Sequence, residues 1–136
     1  MMDRLDQTLD FASKALALRS QRQNILAGNI ANADTPGYQA RDIPFASSLK
    51  RAVSGVAAQA EGMHLRLTSS AHIAGKAHLS QPSNLLYRVP DQPSADGNTV
   101  DMDRERVAFS ENSVKYQTDL TYLSNQIKWL SSAIQG

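Results

Sequence analysis

The sequence predicts a mainly α-helical protein, with long N- and C-terminal helices paired as an antiparallel coiled-coil hairpin around a small irregular or β-rich middle segment. Three observations carry that expectation. Leu5, Leu9, Ala12, Leu16, Arg19, Gln23, Leu26 and Ile30 are spaced alternately by four and three. Phe109, Ser113, Tyr116, Leu120, Leu123, Ile127, Leu130 and Ile134 repeat that spacing near the other end. Such alternation puts each set on one narrow helical stripe, the a/d seam of a heptad. Finally, large aromatic side chains are few (three Phe, four Tyr and one Trp in 136 residues), which suits thin helical seams better than a thick core.

Each patterned stretch runs roughly 30 residues, about 45 Å of helix, against about 11–12 residues for an average globular helix. The C-terminal stripe is strongly apolar. Arg19 and Gln23 dilute the N-terminal one, while Phe11, Leu18 and Ile25 widen its apolar face. An amphipathic helix pair inside a small globular domain would share the pattern, but the middle holds too little apolar mass to cover both helices.

The boundaries follow from local chemistry. Thr35-Pro36-Gly37 ends the first helix near Asn32. Pro36 biases Thr35 away from the helical region, and Pro-Gly suits the two central positions of a type II turn. Asp96-Gly97-Asn98 is a turn, and Asp101 is an N-cap for the last helix. Asp103 and Glu105 stand in its first turn, near the positive end of the helix dipole. Glu111, Lys115 and Asp119 form a line of alternating charge on the expected wet face. This divides the chain into a helix over 1–34, a turn, linker and β-rich insert over 35–98, and a helix over 99–136. The two helices make one domain. Within the insert, 46–62 reads as a weak helix or a linker. His64-Leu65-Arg66-Leu67 and Leu85–Val89 read as short strands, and 90–97 as a loop.

A formal net charge of +1 with mixed signs provides no footprint for nucleic acid. No apolar run of about 18 residues is present to span a membrane, and there is no cysteine for disulfide or thiolate chemistry. Asp3, Arg4, Asp6, Asp10, Lys14 and Arg19 interrupt the start, so no cleavable signal peptide is expected. No phosphate loop or nucleophile elbow occurs. His64, His72 and His78, eight and six residues apart, match no metal-ligand spacing. No catalytic residue, cofactor or metal is expected.

The segment Asn29 to Tyr38 is the densest in special residues. Asn29 and Asn32 lie three apart beside the seam, where their amides can satisfy helix-end carbonyls or a neighbour's backbone. Tyr38 has the ring and polar tip of an interface anchor; a simple helix cap and turn would explain the same residues. Leu26 to Tyr38, with Asn29, Asn32, Thr35, Pro36, Gly37 and Tyr38, resembles the N-terminal signature of the axial proteins of the bacterial flagellum: rod, hook and hook-associated proteins. Gln39 to Phe45 and Asp96 to Arg106 resemble the proximal rod branch of that family.

The resemblance implies a structural subunit whose terminal helices pair and line a hollow shaft that transmits torque and conducts exported proteins. It implies export by the flagellum's own type III apparatus without a cleaved signal peptide, and a periplasmic location in the rod. The implied partners are further copies, other proximal rod proteins, an export-gate adaptor and the membrane-embedded MS ring. A soluble coiled-coil adaptor or export chaperone is the alternative reading.

Overall fold

The computed structural model describes residues 2–54 and 85–136, as α1 (Met2–Ala31), β1 (Arg41–Asp42), α2 (Phe45–Val53), β2 (Leu86–Tyr87) and α3 (Met102–Gln135). The fold is mainly helical with one two-stranded sheet, and α1 and α3 pack against each other. His64, His72, His78 and the strand expected at His64–Leu67 lie outside the described residues, as do residues 55–62 of the stretch 46–62. At the start of that stretch α2 forms and packs on α1.

The chain leaves α1 as its sequence dictates. The Asn32 and Ala33 N–H groups close the last turns on the carbonyls of Gly28, Asn29 and Ile30. Tyr38 N–H then bonds Thr35 C=O at 3.2 Å, with Gly37 at φ +71°. That positive φ is what the third position of a type II turn requires. The next residues form β1, which pairs antiparallel with β2, Arg41 opposite Tyr87 and Asp42 opposite Leu86. The strand expected at Leu85–Val89 therefore exists, but its partner is the segment directly after the Pro-Gly turn. At the start of α3, Asp101 is the N-cap and accepts hydrogen bonds from the N–H groups of Asp103 and Arg104.

Three contacts trace how α3 lies on α1. Asn29 meets Glu105, Gln23 meets Asn112 and Ser113, and Arg19 meets Asp119. From Glu105 on, the buried and half-buried positions of α3 are 105, 109, 112, 116, 119, 123, 126 and 130, with Ala108 and Ser113 beside them. The spacing is the expected heptad alternation. Phe109, Tyr116, Leu123 and Leu130 stand in it. The second row differs: Glu105, Asn112, Asp119 and Gln126 occupy it, and Leu120, Ile127 and Ile134 are 41%, 54% and 85% exposed. Asp119, expected on the wet face, is turned to Arg19. Hydrophobicity alone did not choose this face; Arg19, Gln23 and Asn29 on α1 select polar partners.

The interior reflects that choice. Among the described residues the buried apolar set is Ala12, Ala15, Leu26, Ala40 and Ile43, and the buried polar set is Asn29, Ser48, Asn98, Glu105 and Asn112. Equal numbers of each mean that hydrogen bonding, as much as apolar burial, decides how these elements fit.

Candidate functional site

The buried polar groups concentrate where α1 ends, the sheet crosses and α3 begins. Asn29 lies on the last full turn of α1, fully buried. Its amide nitrogen donates to Arg41 C=O at 2.7 Å and to Glu105 Oε2 at 3.1 Å. Its oxygen accepts from Arg41 N–H at 3.1 Å and from the Tyr38 hydroxyl at 3.3 Å. One side chain thus fills all the bonding capacity of a primary amide and joins α1, β1 and α3.

Charge continues the junction outward. Glu105, 1% exposed, is paired through Oε1 with Arg88, which follows β2. Arg88 also donates to Asp42 Oδ2 at 2.7 Å, and Arg22 grips both oxygens of Asp42 at 2.9 and 3.0 Å. Burial by itself would raise the Asp42 carboxyl. The hydrogen bonds from Arg22, Arg88 and the Ile43 N–H outweigh it and hold the group below the usual carboxylate range. The bond to Asp42 likewise raises Arg22, against its own partial burial.

A second amide ties the two turns. Asn98 donates to the carbonyls of Asn32, Ala33 and Thr35 at 3.0, 2.8 and 2.9 Å, so a residue before α3 caps the carbonyl end of α1. Gly37 N–H bonds Asp96 C=O at 2.9 Å, and Thr99 N–H bonds Tyr38 C=O at 3.0 Å. A Cβ on Gly97, itself at φ +76°, would stand 3.7 Å from the Gly37 Cα, so the turns touch backbone to backbone.

The structure therefore brings Asn29, Asn32, Thr35, Gly37 and Tyr38 into one clasp, Thr35 through its carbonyl, while Pro36 sits exposed on the turn. Leu5, Leu9, Leu16, Leu26 and Ile30 are half-buried or buried along α1. The sequence marks Glu105 as a helix-dipole residue, Asn98 as a turn residue, Asp42 as part of the family-like segment and Arg88 as part of a strand, and marks Arg22 and Asn112 for nothing; it shows none of them as a member of the clasp or of the α1–α3 contact. Nothing in their local spacing marks them as such, because their partners on other elements lie 17 to 93 residues away. Chemically the clasp is a tie: its charged groups are engaged with one another. Among the described residues no group of three or more His, Cys, Asp or Glu could hold a metal, and no helix is long and apolar enough to cross a membrane.

The family model described as "Flagella basal body rod protein" matches residues 9–39, the stretch from the α1 seam through the Pro-Gly turn to Gln39. The chain is 60% identical to flagellar basal body rod protein FlgB of Salmonella typhimurium (strain LT2) over 136 residues, covering 100% of this chain and 99% of the relative. The FlgB proteins of Yersinia enterocolitica and Escherichia coli K12 are 57% and 53% identical, covering 99% and 100% of this chain and 98% and 99% of theirs. Similarity over the full length, with the clasp's own segment inside the family match, leads to one conclusion. The chain belongs to the FlgB family of flagellar basal body rod proteins.

Proposed function

We propose that this chain is a proximal rod subunit that contributes to the hollow shaft carrying motor torque and exported proteins. Its standing as a structural, non-enzymatic subunit of the flagellar basal body rod, assembled with other rod components, follows from the family. The order of contacts along α1 and α3, 29 with 105, 23 with 112 and 19 with 119, supports an antiparallel coiled-coil hairpin spanning 1–34 and 99–136 as one unit. Residues 35–98 then form its turn and insert.

The observation that carries the subunit reading is the uncovered row of α3. Leu120, Ile127 and Ile134 are exposed. Burying one such aliphatic side chain is worth about 1.5–3 kcal/mol, and the single chain leaves most of that unrealised. Contacts between successive subunits would recover it, and head-to-tail contacts of this kind propagate as helical assemblies. The seam residues on both helices are the proposed interface. Further copies, other proximal rod proteins, an export-gate adaptor and the MS ring are the proposed partners, and type III export to the periplasmic rod is the proposed route.

The test is a chromosomal Ile127→Asp replacement. The expected result is normal protein level with no swimming and no rod in purified basal bodies; swimming at the parental rate overturns the reading.

A further inference from the structure

α3 carries two rows that could share a seam with Phe109, Tyr116, Leu123 and Leu130. One is polar (Glu105, Asn112, Asp119, Gln126) and the other includes Leu120, Ile127 and Ile134. In a heptad the rows lie on either side of the shared one, so a rotation of α3 by about 50° about its axis would exchange them. Apolar burial favours the second row. The structure has the first.

We infer that the polar rungs between α1 and α3 act as a rotational key, holding α3 turned so that its apolar row stays out of the chain's own seam. Three rungs make up the key. At the clasp, Asn29 donates to buried Glu105. In the middle, the Asn112 amide donates to Gln23 Oε1 at 2.6 Å and to Arg19 C=O at 2.9 Å, while Gln23 donates to the Ser113 hydroxyl at 2.6 Å. Farther along, Arg19 pairs with Asp119 and lays its guanidinium 4.3 Å from the centre of the Phe45 ring of α2.

The geometry is specific in a way that apolar packing is not. A rotation that buried Leu120 would strand Asn112 and Asp119 away from their partners, and would leave Arg19 and Gln23 facing hydrocarbon. Unpaired buried polar groups cost more than their bonds contribute when made, so the rungs exclude the rotated state even where they add little to stability. Buried polar side chains set register in this manner in coiled coils. Among the described residues the Asn112 side-chain oxygen has no hydrogen-bond partner, which fits a residue retained for specificity over stability.

The inference rests on the subunit reading only for the purpose of the freed row, and the two can fail separately. The chain has no cysteine, so single cysteines at 126 and 127 report on rotation through their labelling rates with a water-soluble maleimide. In the parent, Ile127→Cys should label several-fold faster than Gln126→Cys, because position 127 is exposed and position 126 half-buried. Arg19→Leu/Gln23→Leu makes α1 apolar where the key sits and should shift that ratio at least three-fold toward 126. Adding Asn112→Leu/Asp119→Leu makes the polar row apolar and should restore the parental ratio.

Equal labelling in the parent, or an unchanged ratio in the double variant at parental helicity by circular dichroism, overturns the key. If the double variant loses helicity, Gln23→Leu alone decides, with a ratio unmoved from the parent again overturning it. A shifted ratio in a strain that still swims would uphold the key and count against the subunit reading instead.

Discussion

Asn29 of α1 and Glu105 of α3, 76 residues apart in sequence, meet inside the clasp through a 3.1 Å hydrogen bond from the amide to the carboxylate, both side chains buried. Asn29→Ala removes that donor together with the bonds to both backbone groups of Arg41. Each buried group left without a partner costs about 1–3 kcal/mol. The expected loss is about 2–4 kcal/mol in urea unfolding, with Asn29→Asp no better, because a second carboxylate would face Glu105.

Arg88 separates two acids, pairing with Glu105 and donating to Asp42 at 2.7 Å. Arg88→Ala leaves Glu105 charged, buried and short of its cation, a change of about 3–5 kcal/mol. Glu105→Gln in the same chain removes the stranded charge and should recover a substantial part of the loss. A double-mutant cycle by chemical unfolding checks both, and strict additivity would contradict the pairing.

Acid should open the clasp. The folded-state pKa of Asp42 lies below its ordinary value, after the bonds from Arg22 and Arg88 overcome burial. A depressed folded pKa contributes stability that is present above the unfolded pKa, about 3.9, and is lost as pH falls through the folded value. The urea midpoint should therefore fall as pH drops below about 5. Asp42→Asn, less stable at neutral pH, should show a shallower decline.

Two glycines should respond with opposite signs. Gly37 sits at φ +71°, so Gly37→Ala strains the turn by about 1–2 kcal/mol although open space surrounds the added carbon. Gly28 is helical, and its added Cβ would meet nothing nearer than the Tyr38 hydroxyl at 3.9 Å. Gly28→Ala should stabilise α1 by about 0.5–1 kcal/mol. Thermal melts followed at 222 nm read both.

The cap of α1 belongs to another part of the chain. Asn98→Ala should fray the last turn, because three carbonyls lose one shared donor. Hydrogen exchange at Asn32 and Ala33 should speed up well before global unfolding, a local opening of the kind that exposed helix ends show.

By itself the sequence determined the local grammar of this protein. The four-three spacing predicted two long helices, Thr35-Pro36-Gly37 predicted the turn that ends the first, and Asp101 predicted the cap that starts the last. Each depends on residues within one or two turns of each other, where sterics and backbone hydrogen bonding leave few options. The signature Asn29 to Tyr38 was also legible, with the family it resembles, although its reach to Arg41, Asn98 and Glu105 was not.

The tertiary structure decided which face of α3 meets α1 and what lies between them. Spacing cannot separate Leu120 from Asp119, because both flank the same apolar row, and hydrophobicity points to Leu120. Arg19, Gln23 and Asn29 reverse that preference only because their partners arrive from 76 to 100 residues away. A buried polar pair has meaning only when both members are in place. Neither member carries that information in its own stretch of chain.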